Sequence, residues 1–418
     1  MSVTRKHEMC YTGSMEETLT AVALCAVGAE KAVSNEIKKM ASKGSSSLKV
    51  DDSLYGRVRF KTNVAGLYQA LIGLRAADRV LLETAQFKAL DFDALFEGAS
   101  CVEWEKLVPK GMGLKIAKVR SNRSQLKAET TIQSMVHKAA AQRLCEKYKM
   151  NRLPEPAVNS QVKVAEVRVY IEKDIVSLLL DLSGDPLFKR GYRSEGGAAP
   201  LRETTAASIL LLSGWKRKFP LYDPFCGSGT ILIEAAMYAW DMAPGLGRHF
   251  AIEDMLIADE KIEQKVRGEF REKIDFSRIV RIAGSDDDLR TISIAASNAA
   301  RLHDIAEGRE PQHGIRSKSE ARGIDLKVVP MKEAVSPFSD TGFILTNPPY
   351  GKRLGDQSAA EEIYRGMAGL TSGFPGWKLA VITDHSGFES FFGRKADSCK
   401  EISNGAIPSY FFEYNVPS

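Results

Sequence analysis

The feature that most narrows the fold begins at Leu201, where short strand-like runs start to alternate with helical periodicity. FPLYD ends at Asp223 and passes directly through Pro224-Phe225-Cys226-Gly227-Ser228-Gly229-Thr230 into the helical run ILIEAAMYAW. Arg278–Gly284 reads as the next strand, followed by SDDD and a helix over Leu289–Leu302. Ile324–Val329, Gly342–Thr346 and Trp377–Thr383 read as further strands. Such alternation implies an α/β fold built on a mostly parallel sheet covered on both faces. Glu307–Arg322, with Pro311, Gly314 and Ser319, reads as a polar insertion.

The chain before Leu201 follows a different plan. AVALCAV reads as a strand, Ala29–Met40 as a helix and Arg57–Phe60 as a strand, a small α+β unit over residues 19–75 behind an extension, 1–18. A second α+β unit over 76–182 holds a basic strand near Leu114–Arg120, a helix from Lys127 to Lys149, and two strands around a turn at Glu172–Asp174. Residues 183–200, rich in Gly and Pro, read as a linker, leaving 201–418 as the third unit.

At 418 residues and 44% hydrophobic the chain can bury sizeable cores, which excludes a disordered or fibrous protein. The net charge of +5 is too mild to demand a polyanionic partner. Its distribution says more: residues 1–200 carry 31 basic and 23 acidic side chains, whereas 201–418 carry 27 and 30. That asymmetry suits an N-terminal half that holds an anionic polymer and a C-terminal half that does chemistry, although drifting surface charge would look the same. Arg120, Arg123, Lys127, Lys138, Arg143, Lys147 and Lys149 are candidate phosphate contacts, or simply a solvated helix face. The six cysteines form no CxxC pair, and no Cys/His cluster has zinc spacing, so neither a metal nor a disulfide framework is expected. The apolar segment Leu19–Val27 is too short to span a bilayer, which leads to the expectation of a soluble cytoplasmic protein.

Three constellations carry the functional reading. Asp223-Pro224-Phe225-Cys226-Gly227-Ser228-Gly229-Thr230 closes the first strand, where glycines let backbone approach a ligand and the following helix start offers free N–H groups. It lacks the Gly-Lys-Ser/Thr of a phosphate-binding loop. Asp286 follows the next strand and can accept ribose hydroxyls, while Asp287 or Asp288 caps the helix. It lies 57 residues beyond Gly229, too far for the dinucleotide fingerprint, so an extra segment must intervene. Asn347-Pro348-Pro349-Tyr350 follows the apolar strand GFIL. Two prolines stop that strand, the Asn347 side-chain oxygen and Pro348 carbonyl offer two acceptors for an exocyclic amine, and Tyr350 supplies a ring for stacking. A plain turn is the competing reading.

DPFCGSGT and NPPYGKRLG, in that order and each at a strand end, resemble motifs I and IV of class I S-adenosylmethionine-dependent amino-methyltransferases. With GDPLFKRGYR, APLRETTAA and GSDDD they resemble the RNA guanine-N2 methyltransferases that carry an N-terminal THUMP domain, closest to the N-terminal methyltransferase module of bacterial RlmL. The likeness is dense over residues 184–355 and looser before them. It implies a Rossmann-like domain with a seven-stranded sheet, preceded by a ferredoxin-like unit and a THUMP RNA-binding domain. It further implies S-adenosylmethionine as cofactor, with Asp223, Pro224, Cys226, Gly227, Ser228, Gly229 and Thr230 at the methionine end and Asp286 on the ribose. Asn347, Pro348, Pro349 and Tyr350 would grip a guanine of large-subunit (23S) rRNA. A departure from the family pattern falls at Pro330, where the family often has an acid facing adenine, so that contact must come from backbone or from a neighbour such as Glu333. The alternatives are a tRNA guanine-N2 methyltransferase and, from another class, a non-catalytic RNA-binding or ribosome-assembly protein.

Overall fold

The computed structural model describes residues 18–42, 47–155, 162–193, 201–309, 323–349, 357–403 and 408–415. Two seven-stranded sheets organise them. The first contains β1 (Leu19–Cys25), β2 (Lys49–Leu54), β3 (Arg57–Thr62), β4 (Ala77–Lys88), β5 (Gly113–Asn122), β6 (Val164–Glu172) and β7 (Ile175–Asp181), in the order β2-β3-β1-β4-β7-β6-β5. The second contains β8 (Leu221–Asp223), β9 (Ile282–Asp286), β10 (Ile324–Val328), β11 (Phe343–Thr346), β12 (Lys378–Thr383), β13 (Ser398–Ser403) and β14 (Pro408–Asn415), in the order β10-β9-β8-β11-β12-β14-β13.

In the first sheet β4 pairs with β1 on one side and β7 on the other. The expected boundary at residues 75 and 76 therefore falls at the edge of a strand shared by both N-terminal units. Helices α1 (Glu30–Ala41), α2 (Val64–Gly73), α3 (Phe92–Ser100) and α4 (Glu129–Tyr148) pack on the sheet through Val33, Ile37, Leu67, Leu95, Ile132 and Val136, all buried. Asn63 and Asp91 start α2 and α3 by accepting the N–H groups of Gly66 and Ala94. The turn between β6 and β7 places Lys173 and Asp174 at positive φ, which a two-residue hairpin requires.

The basic residues near α4 are largely spoken for. Arg143 forks onto Glu105, Arg120 meets Glu129 and Lys138 lies over the Phe96 ring. Residues 183–193, expected as the start of a linker, are packed instead: Leu187, Arg190 and Tyr192 are buried. Arg190 pairs with Glu234 and donates to the carbonyls of Leu187 and Arg75, while Tyr192 Oη donates to Glu234. Apolar and ionic burial overrode the loop signal of the local Gly and Pro. Residues 194–200 lie outside the described set.

In the second sheet β9, β8, β11 and β12 run parallel beside β10, and β14 is antiparallel to both β12 and β13. The sheet is flanked by α5 (Glu203–Leu212), α6 (Thr230–Ala239), α7 (Glu260–Glu272), α8 (Leu289–Ala300) and α9 (Leu302–Ala306). Helix α7 lies in the extra segment expected between the glycine turn and Asp286. The strand expected at Arg278–Gly284 begins four residues later and reaches Asp286, and the helix expected over Leu289–Leu302 breaks at Arg301. Strand order reverses between β8 and β11, the position at which open α/β sheets leave a crevice beyond their carboxyl ends.

Glu234→Ala is expected to cost about 3–5 kcal/mol, because it strands the Arg190 guanidinium in a dry interior. Urea titration followed by circular dichroism reads this directly, and a loss under 1 kcal/mol would mean that the pair contributes no more than a surface one.

Candidate active site

Asp223, Asp286 and Asn347 stand at or just beyond the carboxyl ends of three adjacent strands, β8, β9 and β11. Neighbouring strands are about 4.8 Å apart, so these three side chains share one rim. The turn between β8 and α6 rides over that rim. Gly227 N–H donates to Asp286 Oδ2 at 3.1 Å, Cys226 N–H donates to the Ser285 carbonyl, and Gly229 N–H donates to the Cys226 carbonyl.

Two glycines make this turn possible, Gly227 at φ +53 and Gly229 at φ +83. They serve different ends. A Cβ on Gly229 would press on Ala295 at 3.2 Å, whereas one on Gly227 would have nothing nearer than Phe225 O at 4.0 Å. Gly229 is therefore needed for packing against α8, and Gly227 keeps open space in front of the strand ends. Gly284 in β9 closes the floor, since a Cβ there would lie 2.5 Å from Leu232 Cδ1 and 3.0 Å from the Asp223 carbonyl.

Asp223 is 1% exposed. Its Oδ1 accepts the Thr346 hydroxyl at 2.6 Å and the Phe225 N–H at 3.0 Å, tying the end of β8 to the end of β11 and to its own turn. Burial pushes its pKa up to about 7, with the charge of Asp286 adding to the shift and the two hydrogen bonds opposing it. The Cys226 thiol is also raised, again mainly by burial, so it is not an activated nucleophile. Asp286 is half-buried and raised by burial, opposed by the N–H groups of Asp288 and Gly227 that it accepts. The capping question resolves on Asp288, which accepts from Arg290 N–H and Thr291 N–H and starts α8.

Pro224 lies within the turn, and Ser228 and Thr230 are held from outside by a residue that the motif reading did not single out. Arg193 donates to Thr230 Oγ1 at 2.9 Å, to Ser228 Oγ at 3.4 Å and to the Leu201 carbonyl, with its Nε on Glu203. Asn298 Nδ2 donates to the Ser228 carbonyl from α8. Arg193 sits in the GYR triplet, so a signal for it existed; Asn298 had none. Asn347 and Pro349 are half-buried and Pro348 is buried, all three just past β11. Tyr350 lies outside the described residues. Pro330 follows β10 and opens a short 3-10 turn, Met331–Glu333, on which Glu333 is exposed. Beside Asp286, its register partner Val328 is 45% exposed.

A sheet of this order with a glycine turn after β8, where the strand order reverses, defines a class I methyltransferase. The open space before Gly227, the half-buried carboxylate of Asp286 and the apolar Val328 beside it fit a sulfonium nucleoside.

The comparisons with known proteins lead to the same class. Residues 190–411 match the RMKL-like methyltransferase domain, and residues 20–81 match the RlmL ferredoxin-like domain. The chain is 33% identical over 401 residues to "Putative RNA methyltransferase YpsC" of Bacillus subtilis (strain 168), covering 94% of this chain and 95% of that one. Three solved structures superpose over nearly the whole chain. A possible methylase from Clostridium difficile 630 does so with TM-score 0.82, 34% identity and coverage of 96% and 99%. "SMU.472, a putative methyltransferase complexed with SAH" gives 0.80, 32%, 97% and 100%. "A predicted N6-adenine-specific DNA methylase from Listeria monocytogenes str. 4b F2365" gives 0.81, 32%, 98% and 99%. The chain belongs to the RMKL-like methyltransferase family, and its cofactor is S-adenosylmethionine. Among the described residues no group of His, Cys, Asp or Glu is arranged to hold a metal ion, and no helix is long and apolar enough to cross a membrane.

Because the folded-state pKa of Asp223 lies above its unfolded value of about 3.9, the stability it contributes is full below that value and is lost as pH rises through about 7. Asp223→Asn, permanently neutral, is expected to gain melting temperature relative to the native chain between pH 5 and pH 8. A difference in melting temperature that stays constant across that range would mean that Asp223 is ionised throughout.

Proposed function

We propose that this protein methylates the exocyclic N2 of a guanine in large-subunit (23S) rRNA, in the cytoplasm. The observation that carries the reading is the placement of Asn347 and Pro348 on the same rim as the glycine turn, one strand away from it. In this reading Asp286 holds the ribose, Val328 lies against the adenine two residues before Pro330, the position where the family often has an acid, and Gly227, Ser228 and the turn line the methionine end. S-adenosylmethionine, when bound, supplies an electrophilic sulfonium methyl.

The protein's own residues supply positioning. The guanine amine is a weak nucleophile because its lone pair is delocalised into the ring. Accepting both of its hydrogens, at the Asn347 side-chain oxygen and the Pro348 carbonyl, aims that lone pair at the methyl carbon. No strong base is required, since the methylated ammonium is acidic enough to lose its proton to water or a carbonyl. A paired guanine would first have to be swung out of its stack.

An RNA substrate is supported by a groove of about 970 Å³ on the N-terminal sheet. Register places Arg57 and Arg79 on either side of Leu24, and Lys118 beside Arg168. Tyr170, stacked under Arg57 at 4.8 Å, lies next to them. Burial, with smaller contributions from Arg120 and Arg168, holds the Lys118 ammonium below its ordinary range, while Arg79 and Arg168 share Asp181. Phe188 and Arg202 also line the groove, and Arg202 adjoins Glu203, the partner of Arg193. We read residues 76–182 as the THUMP domain, which shares this groove with the ferredoxin-like unit. Cationic and aromatic side chains in one channel suit an unpaired or distorted RNA strand.

Asn347→Ala is expected to bind S-adenosylmethionine as the native protein does and to lose at least about a hundredfold in methyl transfer; persistence of the modification with cofactor bound would refute the assigned role. Mass spectrometry of rRNA and tRNA from a deletion strain tests the substrate. Loss of N2-methylguanosine from 23S rRNA is expected, and a loss confined to tRNA would overturn the rRNA choice. Lys118→Ala with Arg168→Ala should flatten the salt dependence of RNA binding by about two contacts, read as the slope of log affinity against log salt.

A further inference from the structure

A second cleft lies far from the methyl-transfer rim. It has a volume of about 740 Å³, within the range of small-molecule sites, and it opens between α1, α2 and α7 and the carboxyl ends of α5 and α6. Helix α6 starts at the glycine turn and reaches the cleft at Tyr238, roughly 12 Å further along its axis at 1.5 Å per residue. No part of the proposed transfer uses this cleft.

The cleft is lined on one side by apolar groups, Met40, Leu211, Leu212 and Phe270. Arg75 faces them and is only 9% exposed. Its Nη2 donates to the carbonyls of Met242 and Met237, but among the described residues Nη1 has no hydrogen-bond partner. Gln69 Oε1, also lining the cleft, is buried and unpartnered in the same sense. Glu36 does not neutralise Arg75 by contact, because its carboxylate is turned onto the backbone N–H groups of Arg75 and Ala76. Lys39 reaches in over the Tyr238 ring at 5.5 Å, and Lys31 and Lys273 stand at the mouth. Two acids of the methyltransferase side also line the cleft, Asp241, which is forked onto Arg217, and Glu269 on α7.

A buried guanidinium with an unused N–H is costly unless something accepts it, and an apolar wall beside it rewards a ligand that brings an apolar body. We propose that this cleft binds an organic anion with an apolar or aromatic body, its acidic head on Arg75 within reach of Lys39 and its body against Met40, Leu212 and Phe270. A free inorganic anion would leave the apolar wall unused, and a neutral hydrophobe would leave Arg75 Nη1 unmet.

The test uses 1-anilinonaphthalene-8-sulfonate as the anionic probe and N-phenyl-1-naphthylamine, the same body without the sulfonate, as its control. Fluorescence titration of the full chain is expected to show one site for the sulfonate, at least about tenfold tighter than for the neutral amine. Saturating S-adenosylmethionine should leave that signal in place. Lys39→Glu, on an exposed side chain, should weaken the sulfonate about tenfold and leave the amine unchanged. Leu212→Trp, which fills the cleft, should weaken both probes. Equal affinities for the two probes, displacement by S-adenosylmethionine, or indifference to both substitutions would each overturn the proposal. None of these results would bear on methyl transfer.

Discussion

The hydrogen bond from Thr346 Oγ1 to Asp223 Oδ1, 2.6 Å long and fully buried, fixes the relation on which the site depends. Asp223 ends the strand that carries the glycine turn, and Thr346 immediately precedes Asn347. One contact therefore sets how far the cofactor turn stands from the residues proposed to hold the base. A second tie runs the other way across the sheet, from Tyr222 Oη to Ser285 Oγ at 2.8 Å, and joins the strands that end in Asp223 and Asp286. Displacements of about 1 Å are costly when catalysis rests on alignment, so anchoring at strand ends serves the reaction better than anchoring in loops.

The N-terminal sheet is tied to this centre just as firmly. Arg190 donates to the Arg75 carbonyl and pairs with Glu234 in the middle of α6, the helix that the glycine turn begins. Thr204 on α5 donates to Asp78, and the Ser403 backbone pairs with Val27 at the end of β1. The basic groove of the N-terminal sheet is thereby tied by buried contacts to the sheet that carries the rim. Through Arg202, Glu203 and Arg193 the groove comes within a few side chains of Thr230, which opens α6.

What was legible in the sequence follows from how local each signal was. The strand-turn-helix at Asp223, the acid after the second strand and Asn347-Pro348-Pro349 are written in consecutive residues, and the structure brings them to neighbouring strand ends. The parallel sheet was legible because buried strands and crossover helices have distinct periods. Strand β2, KVDDSL, was missed because it is an edge strand with hardly any buried residue and no alternating pattern. Residues 183–193 were misread because their order comes from partners 40 or more positions away, as Arg190 with Glu234 shows. Thr346 as the tie between two strands, and Asn298 under the turn, depend on contacts between distant segments that no spacing rule encodes.

The protonation states around the rim bear on which chemistry the site suits. Burial raises Asp223, Cys226 and Asp286 together, and each negative charge would raise the others further. A carboxyl near half-protonation at neutral pH, already accepting a hydroxyl and an N–H, is a poor general base, and a buried neutral thiol is no nucleophile. A sulfonium lying before the Asp223 and Asp286 carboxyls would instead favour their ionised forms and be stabilised by them, with the acceptors of Asn347 and Pro348 close by. A reaction whose product ammonium sheds its proton unaided is the one for which such a rim, built of fixed acceptors and with no strong base among its described residues, is sufficient.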